Sequence, residues 1–304
     1  MIVYHYTAID TLEKILSSYS NDAGTINLRA THCNFLNDGT ESTLGIRLLP
    51  KYIAQIEEEL NVEANWKLSP AFNNDSYIQG IISHINNFDD TSVHLSKFMV
   101  SFSKAFDNLV MWSMYGNKGD GVALGFDADI LSLNVSSPAT VFKEECVYLT
   151  DEEIMAPCNT KSKIYQYTKE LYMGMSNPQF RQSLYEFFVK GEKDERVCWN
   201  NVMNMLVINL ITHVSMFCKL DMWKNEQEFR LVVDDVTTHA LYQKNSNDVY
   251  VPYINVPISL KALKEIVIGP TCGRNVCGMI NSLFYQRGLN PKDISIKNSS
   301  CPLQ

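Results

Sequence analysis

Between Glu152 and Leu220 the chain carries helical periodicity nearly throughout, and stretches that read as short strands stand on both sides of it. Ile164, Tyr167 and Leu171, then Leu184, Phe187 and Phe188 beyond the Pro178 break, then Trp199, Met203, Leu206, Leu210, Val214 and Phe217 fall at three- and four-residue steps, the spacing of an inward helical face. The economical architecture is a single α+β domain over residues 1–304, a mixed sheet with helical insertions at 41–95 and 152–221. The Met, Tyr and Phe stripes of the long block read as packing residues rather than a cofactor box.

Strand signals fall at Val3–Tyr6, Ile26–Thr31, 97–103, 121–127, Val141–Leu149, Glu228–Val233, Val249–Val256, Glu265–Ile268 and Asp293–Lys297. After the first strand, Thr7 or Asp10 can cap a helix through Leu12, Ile15 and Leu16, with Asp10 and Glu13 spaced for a capping-box exchange. A helix starting at Thr40 or Ser42 runs through Ile46, Leu49, Ile53, Ile56 and Leu60, with a kink or break at Pro50. The Tyr77, Ile81, Ile82 and Ile85 pattern reads as helical, a helix spans Asp107–Tyr115, and another covers Asn275–Tyr285. The tail SSCPLQ reads as loose.

With 304 residues, 45% apolar and 20% charged, the chain can bury a substantial core, which excludes disordered and collagen-like classes. Its formal charge of -8 gives no general attraction to nucleic acid or anionic lipid. The longest apolar run, Val202–Phe217, is broken by Asn204, Asn209 and His213, and the first residues lack the regions of a signal peptide, so no membrane partner and a cytoplasmic location are expected. Eight scattered cysteines without a C-x-x-C pair read as reduced thiols.

Four polar clusters can carry chemistry. They are Tyr4-His5-Tyr6-Thr7, Asn37-Asp38 with Glu41, Ser101-Phe102-Ser103 with Trp112 and Tyr115, and Glu226-Gln227-Glu228-Phe229-Arg230. In an extended chain Glu226, Glu228 and Arg230 share one face and Phe229, Leu231 and Val233 the other, so three charged groups can border a cleft; a solvated strand edge has the same period. His5, beside a helix N-terminus, can meet an anionic or amide-bearing ligand together with the Thr7 hydroxyl, or can be a structural histidine. Ser101 and Ser103 project to one side of their strand, where they hold a ribose, orient a carboxylate, or stand as satisfied serines. Trp112 and Tyr115 share a helix face that stacks on a planar ring or anchors a core.

The glycine-rich phosphate loops of dinucleotide-binding and P-loop folds are absent, as are the zinc-protease and serine-hydrolase motifs. His84 and His94 have no neighbouring ligand set, so no metal is expected.

With YHYT at 4–7, NFLNDGTE at 34–41, SFS at 101–103, DNLVMWSMYGNKGDGVALGFD at 107–127 and WKNEQEFRLV at 223–232, the chain resembles the bacterial family called domain of unknown function 2971, from the first residues to about Gly269. The same blocks resemble the scattered signature of mono-ADP-ribosyltransferases, enzymes whose split mixed sheet binds NAD in a central cleft. That resemblance implies an ADP-ribosyltransferase-like split sheet and NAD as a consumed substrate. It also implies a macromolecular acceptor in a toxin or phage-defence effector and leaves room for an inhibitory partner; the acidic balance of the chain favours protein over DNA or RNA as that acceptor.

Residue by residue, the resemblance makes Glu228 the catalytic glutamate, Glu226 its auxiliary and His5 the contact to the nicotinamide ribose or amide. Tyr4, Tyr6, Thr7, Ser101, Phe102 and Ser103 would surround the cofactor, Trp112 or Tyr115 would cover its ring, and Arg29 or Arg230 would neutralise its pyrophosphate. Arg230 has an alternative role, a structural pair with Glu226 or Glu228. An Arg-Ser-Glu enzyme has arginine where His5 stands, and a His-Tyr-Glu enzyme has a better defined tyrosine pair. Transfer to water would make the chain an NAD glycohydrolase; a noncatalytic ligand-sensing or protein-interaction module is the alternative from another class.

Overall fold

A computed structural model describes residues 1–36, 48–86, 97–131, 140–155, 159–191, 194–234, 240–244 and 248–302. The chain divides into two compact units: Met1–Phe35, Ser96–Cys146 and Trp223–Gln304 form one, and Leu36–Leu95 and Val147–Met222 the other. The strands, in chain order, are β1 (Ile2–Ala8), β2 (Thr25–His32), β3 (Lys97–Ser103), β4 (Gly121–Asp127), β5 (Thr140–Glu145), β6 (Val147–Leu149), β7 (Cys218–Leu220), β8 (Glu228–Asp234), β9 (Leu241–Lys244), β10 (Tyr250–Ser259), β11 (Leu263–Ile268) and β12 (Ser295–Asn298).

In the first unit a mixed sheet runs β12-β11-β4-β1-β3-β2-β10-β9, with β8 paired to β3 and β5 to β8. β12 lies parallel to β11, and the other ladders are antiparallel. A strand has two edges. β8 pairs with β3 from Lys97 to Ser103 and takes one of them, so β1 and β2 share the other: β2 meets it at Phe98 and Met99, β1 at Ser103. The sheet therefore forks at β3.

One face of this sheet is apolar. Val3, Leu28, Val100, Phe102, Leu124, Phe126, Phe229 and Leu231 pack there with Leu12, Ile15 and Leu16 of the helix Ile9–Ser17 and with Ile280 and Phe284 of the helix Val276–Gln286. Alternation along each strand places every second residue on the opposite face. The helix Ile9–Ser17 begins at Ala8, whose side chain caps nothing, so neither Thr7 nor Asp10 is its cap; the buried apolar stripe holds it instead. In the described part of the tail, to Pro302, the Ser299 amide donates to Ile268 O at 2.7 Å, continuing the run of β12 beside β11, so Ser299 and Ser300 are not loose.

The second unit is helical. Leu49, Tyr52, Ile53 and Ile56 from the helix Leu49–Glu59 pack with Ile164, Tyr165 and Tyr172 from Lys163–Met175 and with Val202, Leu206, Leu210 and Val214 from Glu195–Phe217. Pro50 sits in the first turn of its helix, where its missing N–H has no intrahelical partner to lose, so it starts the helix rather than kinking it. The starts expected at Thr40 or Ser42, and Ile46, lie outside the described residues. The strand expected at Val141–Leu149 is interrupted at Cys146: β5 joins the sheet, while β6 pairs in parallel with β7 at the end of the long helical block. No described helix is long and apolar enough to cross a membrane, and the described cysteines are free thiols.

Candidate functional site

β8 opens at Glu228, and the residue before it, Gln227, has a left-handed backbone with φ 44°. This turn breaks the two-residue period, so Glu226 belongs to the 3-10 turn Asp221–Glu226 and does not continue the Glu228 and Arg230 face along a strand. Glu226 is nonetheless held beside that face. Its carboxylate accepts the Tyr115 hydroxyl at 2.7 Å, and its carbonyl accepts the Ser103 hydroxyl at 2.5 Å. The same Ser103 oxygen accepts the Ala105 amide at 3.0 Å, so this serine clamps two pieces of backbone.

Register then aligns residues across the fork. Tyr4 lies opposite Ser103, and Ser103 opposite Glu228, so these three form a row across β1, β3 and β8; Ser101, Arg230 and Glu144 form the next row across β3, β8 and β5. Glu228 and Arg230 are 5% and 1% exposed, which forces the charges to find one another. Arg230 donates from Nε and Nη2 to the two carboxylate oxygens, each at 2.8 Å. The structural pair named as an alternative role for Arg230 is thus formed, and it is formed with Glu228.

His5 lies on the other face of β1 from Tyr4. Its ring meets Phe102 edge-on at 5.9 Å, and its Nδ1 lies 3.1 Å from Ser101 O, at the edge of β3 between the contacts with β1 and β2. Burial lowers its pKa, and the bond to Ser101 offsets part of that shift. Thr7 shares the His5 side of β1 by alternation, and Phe102 is a core residue. The structure therefore brings Tyr4, Ser101, Ser103, Glu228 and Arg230 onto one face with Glu226 and Tyr115 beside it, and leaves His5, Thr7 and Phe102 on the opposite face. Arg29, on β2, is exposed, with its guanidinium 4.7 Å above the Tyr253 ring.

Trp112 and the first-strand tyrosines are packing groups. Trp112 has no exposed surface, meets Tyr6 edge-on at 4.9 Å and donates from Nε1 to Asp107 at 2.8 Å, so its ring is not offered to a ligand in this conformation. The Tyr6 hydroxyl donates to Ala105 O at 2.8 Å, and burial pushes its pKa up to about 12. The Tyr4 hydroxyl donates to Glu265 at 2.6 Å, and burial, then that hydrogen bond and the Glu265 charge, raise its pKa.

Sequence reasoning missed Asp107. Its left-handed backbone, φ 48°, turns the carboxylate to accept Trp112 Nε1, the Ser299 hydroxyl, and the Ser300 amide and hydroxyl at 2.7 and 2.8 Å. Partial burial raises its pKa, and these hydrogen bonds outweigh that and hold it below the usual carboxylate value. Nothing in the local sequence signals the Ser299 and Ser300 contacts, because those partners lie almost two hundred residues away in the chain. The Asn37, Asp38 and Glu41 cluster and His94 lie outside the described residues, and among the described residues no group of three or more His, Cys, Asp or Glu could hold a metal ion.

Residues 111–231 match the model of the family described as "Protein of unknown function (DUF2971)". The match takes in Trp112, Tyr115, Glu226, Glu228 and Arg230, and is narrower at both ends than the stretch from the first residues to about Gly269 expected from sequence, since β1 to β3 precede it and β9 to β11 follow it. No curated protein and no solved structure matches the chain.

Proposed function

We propose that the chain is an intracellular ADP-ribosyltransferase-like enzyme that breaks the nicotinamide N-glycosidic bond of NAD and passes ADP-ribose to a macromolecule, protein in preference to DNA or RNA. The observation that carries this reading is the convergence of Glu226 and Glu228 with Ser101 and Ser103 where the sheet forks; His5 touches the same strand from the opposite face and is no part of that set. In this reading the fork corresponds to the split sheet of that enzyme class.

Bond breaking leaves oxocarbenium-like positive charge on the ribose, which a preorganised carboxylate stabilises. Glu228 fills that role: Arg230 keeps it oriented and would yield one oxygen to a ribose hydroxyl. Glu226, fixed by Tyr115, would orient the acceptor or take its proton if the two come within about 3 Å, directly or through one water. Nicotinamide departs with the bonding electron pair, and the acceptor forms the new bond at the same carbon. A toxin or defence role, with an inhibitory partner restraining it, belongs to this reading.

Closure of the site favours a second reading. The bidentate Glu228–Arg230 pair and the unexposed Trp112 suit a noncatalytic ligand-sensing or protein-interaction module. Incubating the purified protein with labelled NAD and cell lysate separates the readings. Label on macromolecules is the expected result; free ADP-ribose alone would make the chain an NAD glycohydrolase, and intact NAD with every acceptor would overturn catalysis in favour of the module.

A further inference from the structure

Arg181 is 3% exposed, yet it lines an open cleft within the helical unit, a space of about 480 Å³ walled also by Trp66, Trp199, Pro178, Gln182 and Glu63. Among the described residues its hydrogen bonds reach only neutral oxygens: Nε donates to Met175 O at 3.3 Å, and Nη2 to Ser176 Oγ at 3.1 Å and Trp66 O at 3.5 Å. The buried carboxylate of the neighbourhood, Glu57, is occupied. Its oxygens accept the Leu68 amide at 2.5 Å, the Ser69 amide at 3.1 Å, the Ser69 hydroxyl at 2.5 Å and the Tyr172 hydroxyl at 3.0 Å. Burial lowers the Arg181 pKa, while Tyr172 and then the Glu57 charge support its charged form.

A buried guanidinium without a directly bonded carboxylate carries a desolvation cost that an incoming anion relieves. The rest of the cleft says what that anion is attached to. Trp66 and Trp199 meet edge to face, 5.1 Å apart at 85°, and make a right-angled corner; Tyr185 stacks on Trp199 at 4.4 Å and fixes its plane. The Arg181 guanidinium sits 4.7 Å over the Trp66 ring, and Arg181, Trp66 and Trp199 all line the one cleft. The space falls in the range of small-molecule sites, which are aromatic-walled with a few placed polar groups.

From this geometry we propose that the cleft binds a small planar aromatic carboxylate, with its ring in the Trp66–Trp199 corner and its carboxylate on Arg181. The guanidinium fork matches a carboxylate in two-point contact. A phosphate dianion is disfavoured because, among the described residues, the cleft offers it a single cation and has the Glu63 carboxylate in its wall. This goes beyond the reading of the sheet unit and does not depend on it.

Calorimetric titration of the full chain with indole-3-carboxylate, with its uncharged carboxamide and with inorganic phosphate tests the proposal. The acid should bind about tenfold or more tighter than the amide, the difference expected from one charge-assisted hydrogen-bonded contact, and phosphate should not compete with it. Arg181→Gln should abolish the preference. Because Arg181 is buried, Gln182→Glu at an exposed wall position provides a variant that leaves the core intact, and it should weaken the acid selectively. Equal binding of acid and amide, no binding of either, displacement by phosphate, or an unchanged acid affinity in Gln182→Glu would each overturn the assignment.

Discussion

Ser103 shows how the polar residues of the sheet unit are used. Its hydroxyl is spent on Glu226 O and the Ala105 amide, so it holds the backbone in place and has no donor to offer a ribose. Tyr4 and Tyr6 likewise bond Glu265 and Ala105 O. These residue types were legible from sequence as a polar set; their partners were not, because hydrogen bonds between strands distant in sequence leave no local pattern. His32 shows the effect of burial on a single side chain. It is buried between Phe35 and Phe98, and burial lowers its pKa from 6.5 to about 4. Above pH 6.5 the folded and unfolded chains are both neutral at this residue, but below it the unfolded chain takes up a proton that the folded one refuses, so stability is lost as pH falls toward 4. Between pH 7.5 and 5, urea unfolding of the wild type should lose about 2 kcal/mol more than that of His32→Gln. Equal losses would show that His32 is not the group responsible.

At the scale of elements, two loops are pressed together by glycines. The Gly269 amide donates to Gly121 O at 2.9 Å and the Thr271 amide to Gly119 O at 3.1 Å, and a methyl group on Gly269 would overlap the Gly119 carbonyl. Backbone meets backbone there, so nothing can move aside cheaply. Gly269→Ala should therefore cost about 1–3 kcal/mol in chemical denaturation, as overpacking does, and an unchanged midpoint would contradict that close approach. Most sheet strands and the long helices were legible, since alternation and three- to four-residue steps are properties of the segments themselves. Gln227 was not, because a left-handed residue outside glycine answers to its surroundings; it removed Glu226 from the strand on which an unbroken alternation would have put it. β9, with every residue exposed, carries no apolar alternation to read, and the fork at β3 is a matter of pairing rather than of any strand's sequence.

Across the whole molecule, the chain leaves the sheet unit after Phe35, returns at Ser96, leaves again after Cys146 and returns at Trp223, and the excursions form a unit with its own apolar core. The family match spans the second excursion and ends in β8 just beyond Arg230, so it joins the helical unit to the carboxylates of the candidate site. In the proposed reaction Glu228 stabilises charge developing on the ribose of NAD. Nicotinamide release from NAD in the presence of cell lysate, compared between wild type and Glu228→Gln per folded molecule, tests it most directly, the correction being needed because the substitution leaves Arg230 buried without its partner. The wild type should release nicotinamide and Glu228→Gln should be slower by about 30- to 1000-fold, equivalent to about 2–4 kcal/mol of transition-state stabilisation. Equal rates, or no release by the wild type, would contradict it.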